Sequence, residues 1–195
     1  MDIIDFALII QLFILINPLS SFPVLLAASK NRMNVKRIAF SAVIIAFFIA
    51  MIIAIAGTAL FSLFRVSIDS FRIAGGIVLL LLGLDKIRPK DNENKKENIK
   101  EGDALASIIA TPLLTGPALI SFITIKAYEL GRISIISNLF LSFIAVGIVF
   151  VVFGFTIKRI NPKVIDITSR VLGLFLTAVA IEMIAKGIHG LMIAG

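Results

Sequence analysis

Long apolar runs separated by short charged segments dominate the chain. The charge-poor stretches fall at about 6–29, 38–64, 73–84, 104–125, 133–157 and 171–185. A helix needs about 20 apolar residues to cross the hydrocarbon core of a bilayer. The pattern therefore predicts six membrane-spanning helices, the third short unless it extends to about residue 69. Because a helix satisfies its own backbone groups in lipid, the expected fold class is an all-α polytopic membrane protein.

Two of these stretches carry an interruption of the same form. Asn17-Pro18-Leu19-Ser20-Ser21-Phe22-Pro23-Val24-Leu25 returns 94 positions later as Thr111-Pro112-Leu113-Leu114-Thr115-Gly116-Pro117-Ala118-Leu119. Each copy has Asn or Thr, then Pro-Leu, then Ser or Thr two residues on, then a second proline and a leucine. Two prolines five residues apart do not fit one unbroken helix, since each removes a backbone donor and crowds the preceding turn. Spans one and four are thus expected to stop, cross a short polar segment and start again, with Pro18, Pro23, Pro112 and Pro117 at the breaks.

The likeness extends beyond the motifs. An offset of 97 places Gly57 on Gly154, Ile68-Asp69 on Ile165-Asp166, Gly76 on Gly173, and Asp85 on Glu182. Such a series in chain order predicts an internal duplication, with residues 1–87 as the first three-span repeat, 88–103 as a linker and 104–195 as the second repeat. Three spans are an odd number, so the second copy enters the membrane from the opposite side. Repeats of this inverted kind place their broken helices near the midplane, where irregular backbone lines a cavity. The two motifs are expected to face each other across one site.

Composition agrees with the membrane reading: 59% of residues are hydrophobic and 16% charged, with a mean hydropathy of +1.07. The net charge of +7 points to topology rather than to nucleic acid, because the basic residues sit at span ends. Lys30, Arg32, Lys36, Arg37, Lys86, Arg88, Lys90, Lys95, Lys96, Lys100, Lys158, Arg159, Lys163 and Arg170 fall on one side. Arg65, Arg72, Lys126, Arg132 and Lys186 fall on the other. Fourteen against five places the 86–103 loop in the cytoplasm and both termini outside, in a cell (inner) membrane. The linker balances five basic against five acidic side chains and reads as solvated. Asp2 and Asp5 replace the basic start of a cleavable signal.

The candidate chemistry is that of binding. A helix break exposes amide donors on one half-helix and carbonyl acceptors on the other. Here it is dressed with uncharged groups: Asn17, Ser20 and Ser21 in one motif, Thr111 and Thr115 in the other. That set suits a small zwitterion. With no cysteine and a single histidine, His189, no metal site, cofactor or hydrolase is expected. Glu182 and Asp85 are the carboxylates a coupling ion, proton or sodium, would use. Each also has a nearby cation, Lys186 at i+4 and Arg88 at i+3, as do Asp69 (Arg72) and Asp166 (Arg170). Gly76 and Gly83, like Gly173 and Ala180, are expected to let helices pack closely.

The segments Ile16-Asn17-Pro18-Leu19 through Pro23, Gly75-Gly76-Ile77-Val78-Leu79-Leu80, and Thr111-Pro112-Leu113 through Gly116-Pro117 resemble the signature segments of the MarC/SnatA neutral amino acid transporter family of six-span membrane proteins. The resemblance implies a secondary transporter of small neutral amino acids such as glycine and alanine. It carries site assignments to Asn17, Pro18, Pro23, Pro112, Gly116 and Pro117. Ser20 stands where many relatives have glycine, and Asp85 and Glu182 replace polar residues, which leaves room for a different coupling ion. The expected function is alternating-access transport. A passive pore for small uncharged solutes, or a membrane scaffold or regulatory subunit that transports nothing, is the alternative. Expected partners are the substrate and the bilayer; a homo-oligomer is compatible with the sequence.

Overall fold

In the computed structural model, residues 4–88, 114–156 and 162–194 are described, and every regular element among them is helical. Local chemistry sets most of the helix ends. Helix α1, Phe6–Ile16, starts where the Asp5 carboxylate accepts from the amides of Ala7 and Leu8, an N-cap that satisfies two orphan donors. It ends at Asn17, whose left-handed backbone (φ 46°, ψ 66°) donates its amide to Phe13 O, a conformation asparagine tolerates better than most residues. A single 3-10 turn, Pro18–Ser21, leads into α2, Phe22–Lys30.

Helix α3, Val35–Phe64, is followed by α4, Ile68–Ile87, capped by the Ser67 hydroxyl accepting from the Ser70 amide. Gly116 caps α5, Pro117–Leu130, and Pro117 occupies its first position, where a missing N–H costs nothing. Gly131, at φ 86°, turns the chain into α6, Arg132–Thr156, and α7 runs Pro162–Ala194.

Among the described residues, four segments are long and apolar enough to cross a membrane: Phe6–Lys30, Val35–Gly57, Arg132–Thr156 and Lys163–Ile193. The other two expected spans fall short of that measure for separate reasons. Helix α4 has 20 residues but carries Asp69 and Arg72 at one end and Asp85 and Lys86 at the other. The fourth is described only from Leu114, so its helix α5 counts 14 residues.

Small residues decide which helices meet. A Cβ on Gly76 would lie 3.0 Å from Ala180 O and 2.6 Å from Ile184 Cγ1; one on Gly173 would lie 3.0 Å from Gly83 O and 3.2 Å from Ile87 Cγ1. Helices α4 and α7 thus run antiparallel at a separation that glycine permits. Helix α3 buries Ala42, Ala46, Ala50 and Ala54, spaced every fourth residue. It packs on α5 and on α6, which contributes the larger Leu139, Phe143 and Phe150 to the core. Helix α1 lies on α6, where the Ser142 hydroxyl donates to Ile9 O and the Asp5 amide donates to Asn138 Oδ1.

Candidate functional site

The turn after α1 and the start of α5 open onto one cavity of about 190 Å³, lined by Asn17 and Ser20 from the first motif and Gly116 and Pro117 from the second. Val78, Leu82 and Lys86, spaced every fourth residue along one face of α4, also line it. Each wall follows from local backbone. The left-handed Asn17 ends α1, the Ser20 hydroxyl then donates to Asn17 O at 2.7 Å, and Pro117 begins α5 with its first amides toward the break.

The polar groups of the first motif are unusually placed. Asn17 is 2% exposed and Ser21 0%. Among the described residues, neither Asn17 Oδ1, Asn17 Nδ2 nor Ser21 Oγ has a hydrogen-bond partner. A buried polar group left unpaired costs about 1–3 kcal/mol, which makes Asn17, the one of the two that lines the cavity, the candidate for contact with a polar partner. The N-terminal amides of α5 add a partial positive charge to the same space.

The remaining sequence-derived residues fall in several places. Thr115 is buried in the second motif. Pro18 is buried in the 3-10 turn, and Pro23 lies in the first turn of α2, where its missing amide is tolerated. Thr111 and Pro112 lie outside the described residues. Asp85 is exposed near the end of α4, and no Asp85–Arg88 pair forms among the described residues. The reason is local: Arg88 has left the helix for extended backbone (φ −62°, ψ 139°), so the i+3 geometry that would join them is lost.

Glu182 accepts from Lys186 Nζ at 2.6 Å, and Arg170 Nη2 pairs with Asp166 at 2.7 Å. Glu182 and Lys186 border a smaller cavity of about 40 Å³ together with Gln11, Arg72, Lys126 and Glu129. There Arg72 pairs with both Asp69 and Glu129, and Lys126 with Glu129. The network lies toward the Asp69 end of α4, while Lys86 lies at the opposite end.

Two features escaped the sequence reading. Lys86 counted there only as a topology charge, although its spacing from Val78 and Leu82 signals a shared face. The Arg72–Glu129 link joins residues 57 apart, which no local pattern reveals.

The family model described as "MarC family integral membrane protein" matches residues 3–192. The chain belongs to the MarC family. Among curated MarC-like relatives, it is 33% identical to UPF0056 membrane protein MJ1677 of Methanocaldococcus jannaschii, over 94% of this chain and 95% of the relative. It is 31% identical to UPF0056 membrane protein YhcE of Escherichia coli (strain K12), over 95% and 92%. A UPF0056 membrane protein of Aquifex aeolicus is 26% identical over 94% and 91%. No solved structure matches the chain. Membership in the MarC family makes this an integral membrane protein along essentially its whole length, which accounts for large exposed side chains such as Phe40, Phe140 and Phe155 on its spanning helices.

Proposed function

We propose that this chain is a secondary transporter of small neutral amino acids, such as glycine and alanine, working by alternating access. It is built as two inverted three-span repeats, 1–87 and 104–195. A cytoplasmic linker over 88–103 joins them and both termini are extracytoplasmic. The observation that carries the reading is the buried Asn17 carboxamide, without a hydrogen-bond partner among the described residues, beside a cavity that also takes in the first residues of α5.

The repeat reading draws support from packing. Under the 97-residue offset, Gly76 against Ala180 and Ile184 becomes Gly173 against residues 83 and 87, and those are the contacts present. The remaining contacts exchange in the same way: α1 lies on α6 as α5 lies on α3, while α3 with α6 and α4 with α7 map onto themselves. An axis in the membrane plane relating two halves has this consequence.

The size of the site suits the substrate. A cavity of about 190 Å³, on the order of six waters at about 30 Å³ each, is large enough to admit an amino acid with a hydrogen or methyl side chain. The carboxylate would meet the α5 amides and Lys86. The ammonium would meet Asn17 Oδ1 and Ser20 or Ser21, with Thr111, Thr115 and Gly116 completing the second wall. Glu182, which is engaged in an ion pair with Lys186, and Asp85 are the carboxylates open to coupling with a proton or sodium.

The test is uptake and counterflow of labelled glycine and alanine in proteoliposomes. Saturable flux with counterflow, lost in Asn17→Gly and reduced in Thr111→Ala and Thr115→Ala, is the expected result. Flux without saturation or counterflow would make the protein a pore, and flux indifferent to all three changes would overturn the site.

A further inference from the structure

A second, larger cavity lies away from the motifs, in the cleft between α3 and α6. It measures about 630 Å³ and is lined along its length by Phe40 and Val43 of α3 and Gly147, Phe150 and Phe155 of α6. These walls are apolar, and Phe40 and Phe155 stand largely exposed. In an integral membrane protein such a cleft opens sideways into lipid. The cleft is open beside Gly147, where an added Cβ would meet nothing within 4 Å.

One end of the cleft is basic. Asn34, Lys36 and Arg37 line it there, at the N-terminus of the 30-residue α3. Lys36 is held in position: its Nζ sits 3.8 Å above the centroid of the Phe155 ring, and its stem crosses Gly154, where an added Cβ would come within 3.2 Å of Lys36 Cγ. Among the described residues, neither Lys36 nor Arg37 has a carboxylate partner. The positive end of the α3 dipole and the negative end of α6, which stops at Thr156, largely offset each other there, so the charge of the mouth is that of the two side chains. From Lys36 to Val43 the cleft extends about 10 Å along the helix, at 1.5 Å per residue. It therefore runs from a cationic mouth at the membrane surface into the hydrocarbon region.

We propose that this cleft binds one anionic phospholipid, its phosphate between Lys36 and Arg37 and an acyl chain along Phe40, Val43, Gly147 and Phe150. The occupant follows from the two-part character of the walls. A zwitterionic lipid would bring its own cationic group beside Lys36 and Arg37 and leave their charge uncompensated in sum, and a soluble anion would leave the apolar length unused. Basic pockets between spanning helices are suited to acidic head groups. The leaflet follows from the orientation proposed above, and would be the cytoplasmic one. The lipid class does not depend on that orientation, nor on the transport reading.

The experiment uses the full-length protein in a neutral detergent, titrated separately with phosphatidylglycerol, phosphatidylcholine and glycerol phosphate. Retained lipid is followed by native mass spectrometry and stability by thermal unfolding. Phosphatidylglycerol is expected to bind about tenfold more tightly than phosphatidylcholine, through its attraction to two cations. Glycerol phosphate is expected to produce no shift. The exposed double variant Lys36→Gln with Arg37→Gln should fold normally and lose the preference, and Gly147→Leu should weaken binding of both lipids.

Equal binding of the two lipids, or a preference that survives the double variant, would overturn the proposal. So would a response to glycerol phosphate as large as that to phosphatidylglycerol, which would make the mouth a phosphate site alone. A change in oligomeric state with Gly147→Leu, in place of a change in lipid retention, would make the cleft a contact between copies and would also overturn it.

Discussion

Arg72 Nη2 donates to Glu129 Oε1 at 2.6 Å, joining α4 to α5 across residues 57 apart in the chain. Lys126 Nζ holds the other carboxylate oxygen at 2.8 Å, and both partners of the Arg72–Glu129 pair are largely shielded, at 18% and 21% side-chain exposure. The link lies toward the end of α4 opposite Lys86, so it fastens the side of the bundle from which the motif cavity is not lined.

Breaking that fastening should admit reagents from its side. A partly exposed pair is worth about 1 kcal/mol, which corresponds to roughly a fivefold shift between closed and open arrangements. The chain has no cysteine, so Leu119→Cys, at the cavity wall, provides a single reporter. Arg72→Gln or Glu129→Gln in that background should raise its labelling by a membrane-impermeant thiol reagent from the Arg72 side by about that factor. Unchanged labelling would mean that other contacts keep that side shut.

Two features of Asn17 can be separated by choice of substitution. Its backbone is left-handed, which costs most side-chain-bearing residues about 1–2 kcal/mol and glycine nothing. Its side chain borders the cavity without a hydrogen-bond partner among the described residues. Asn17→Gly should therefore retain thermal stability and abolish saturable glycine flux, whereas Asn17→Ala should lose flux and also about 1 kcal/mol of stability. Flux retained in Asn17→Gly would leave the backbone turn alone as the functional feature.

Much of this architecture was legible from the chain because it is written in local terms. Long apolar runs specify helices in lipid, and the i+4 pairs Asp166–Arg170 and Glu182–Lys186 form since helical neighbours need no tertiary information. The same rule failed for Asp85 and Arg88, where the helix ends one residue too early. Tertiary pairings were out of reach. Neither the spacing of Arg72 and Glu129 nor the separate positions of Lys36 and Phe155 hints at their contact. The alanines of α3 recur at every fourth position, a spacing whose meaning depends on the bulky face of α6 opposite it.

Glycines on equivalent faces should respond alike if the two halves are related. A Cβ at Gly76 or Gly173 would press on a backbone carbonyl at 3.0 Å as well as on a side chain. Backbone yields less than a rotamer, so each alanine substitution should cost about 1–3 kcal/mol through overpacking. Gly147→Ala provides the contrast. Its new Cβ meets nothing within 4 Å, and a helical Gly→Ala change adds about 0.5–1 kcal/mol where space allows. Thermal unfolding in detergent should rank Gly147→Ala at or above the parent and the other two well below it. A large difference between Gly76→Ala and Gly173→Ala would weaken the repeat reading.

Lys86 alters the electrostatics that the two motifs would set alone. Both motifs are uncharged, yet this ammonium-bearing side chain borders the cavity between them. Under the proposed reading it would add positive charge near the carboxylate of a zwitterion, alongside the α5 amides. Removing it should raise the KM for glycine flux about tenfold, a loss of about 1.4 kcal/mol of binding, while the maximal rate changes little. Lys86→Gln keeps the length and polarity of the side chain and so isolates the charge, and Lys86→Glu should abolish uptake by repelling the carboxylate. The decisive comparison is between glycine and a small neutral solute lacking a carboxylate. If Lys86→Gln affects both equally, the residue shapes the cavity without reading charge, and the carboxylate is held by the start of α5 alone.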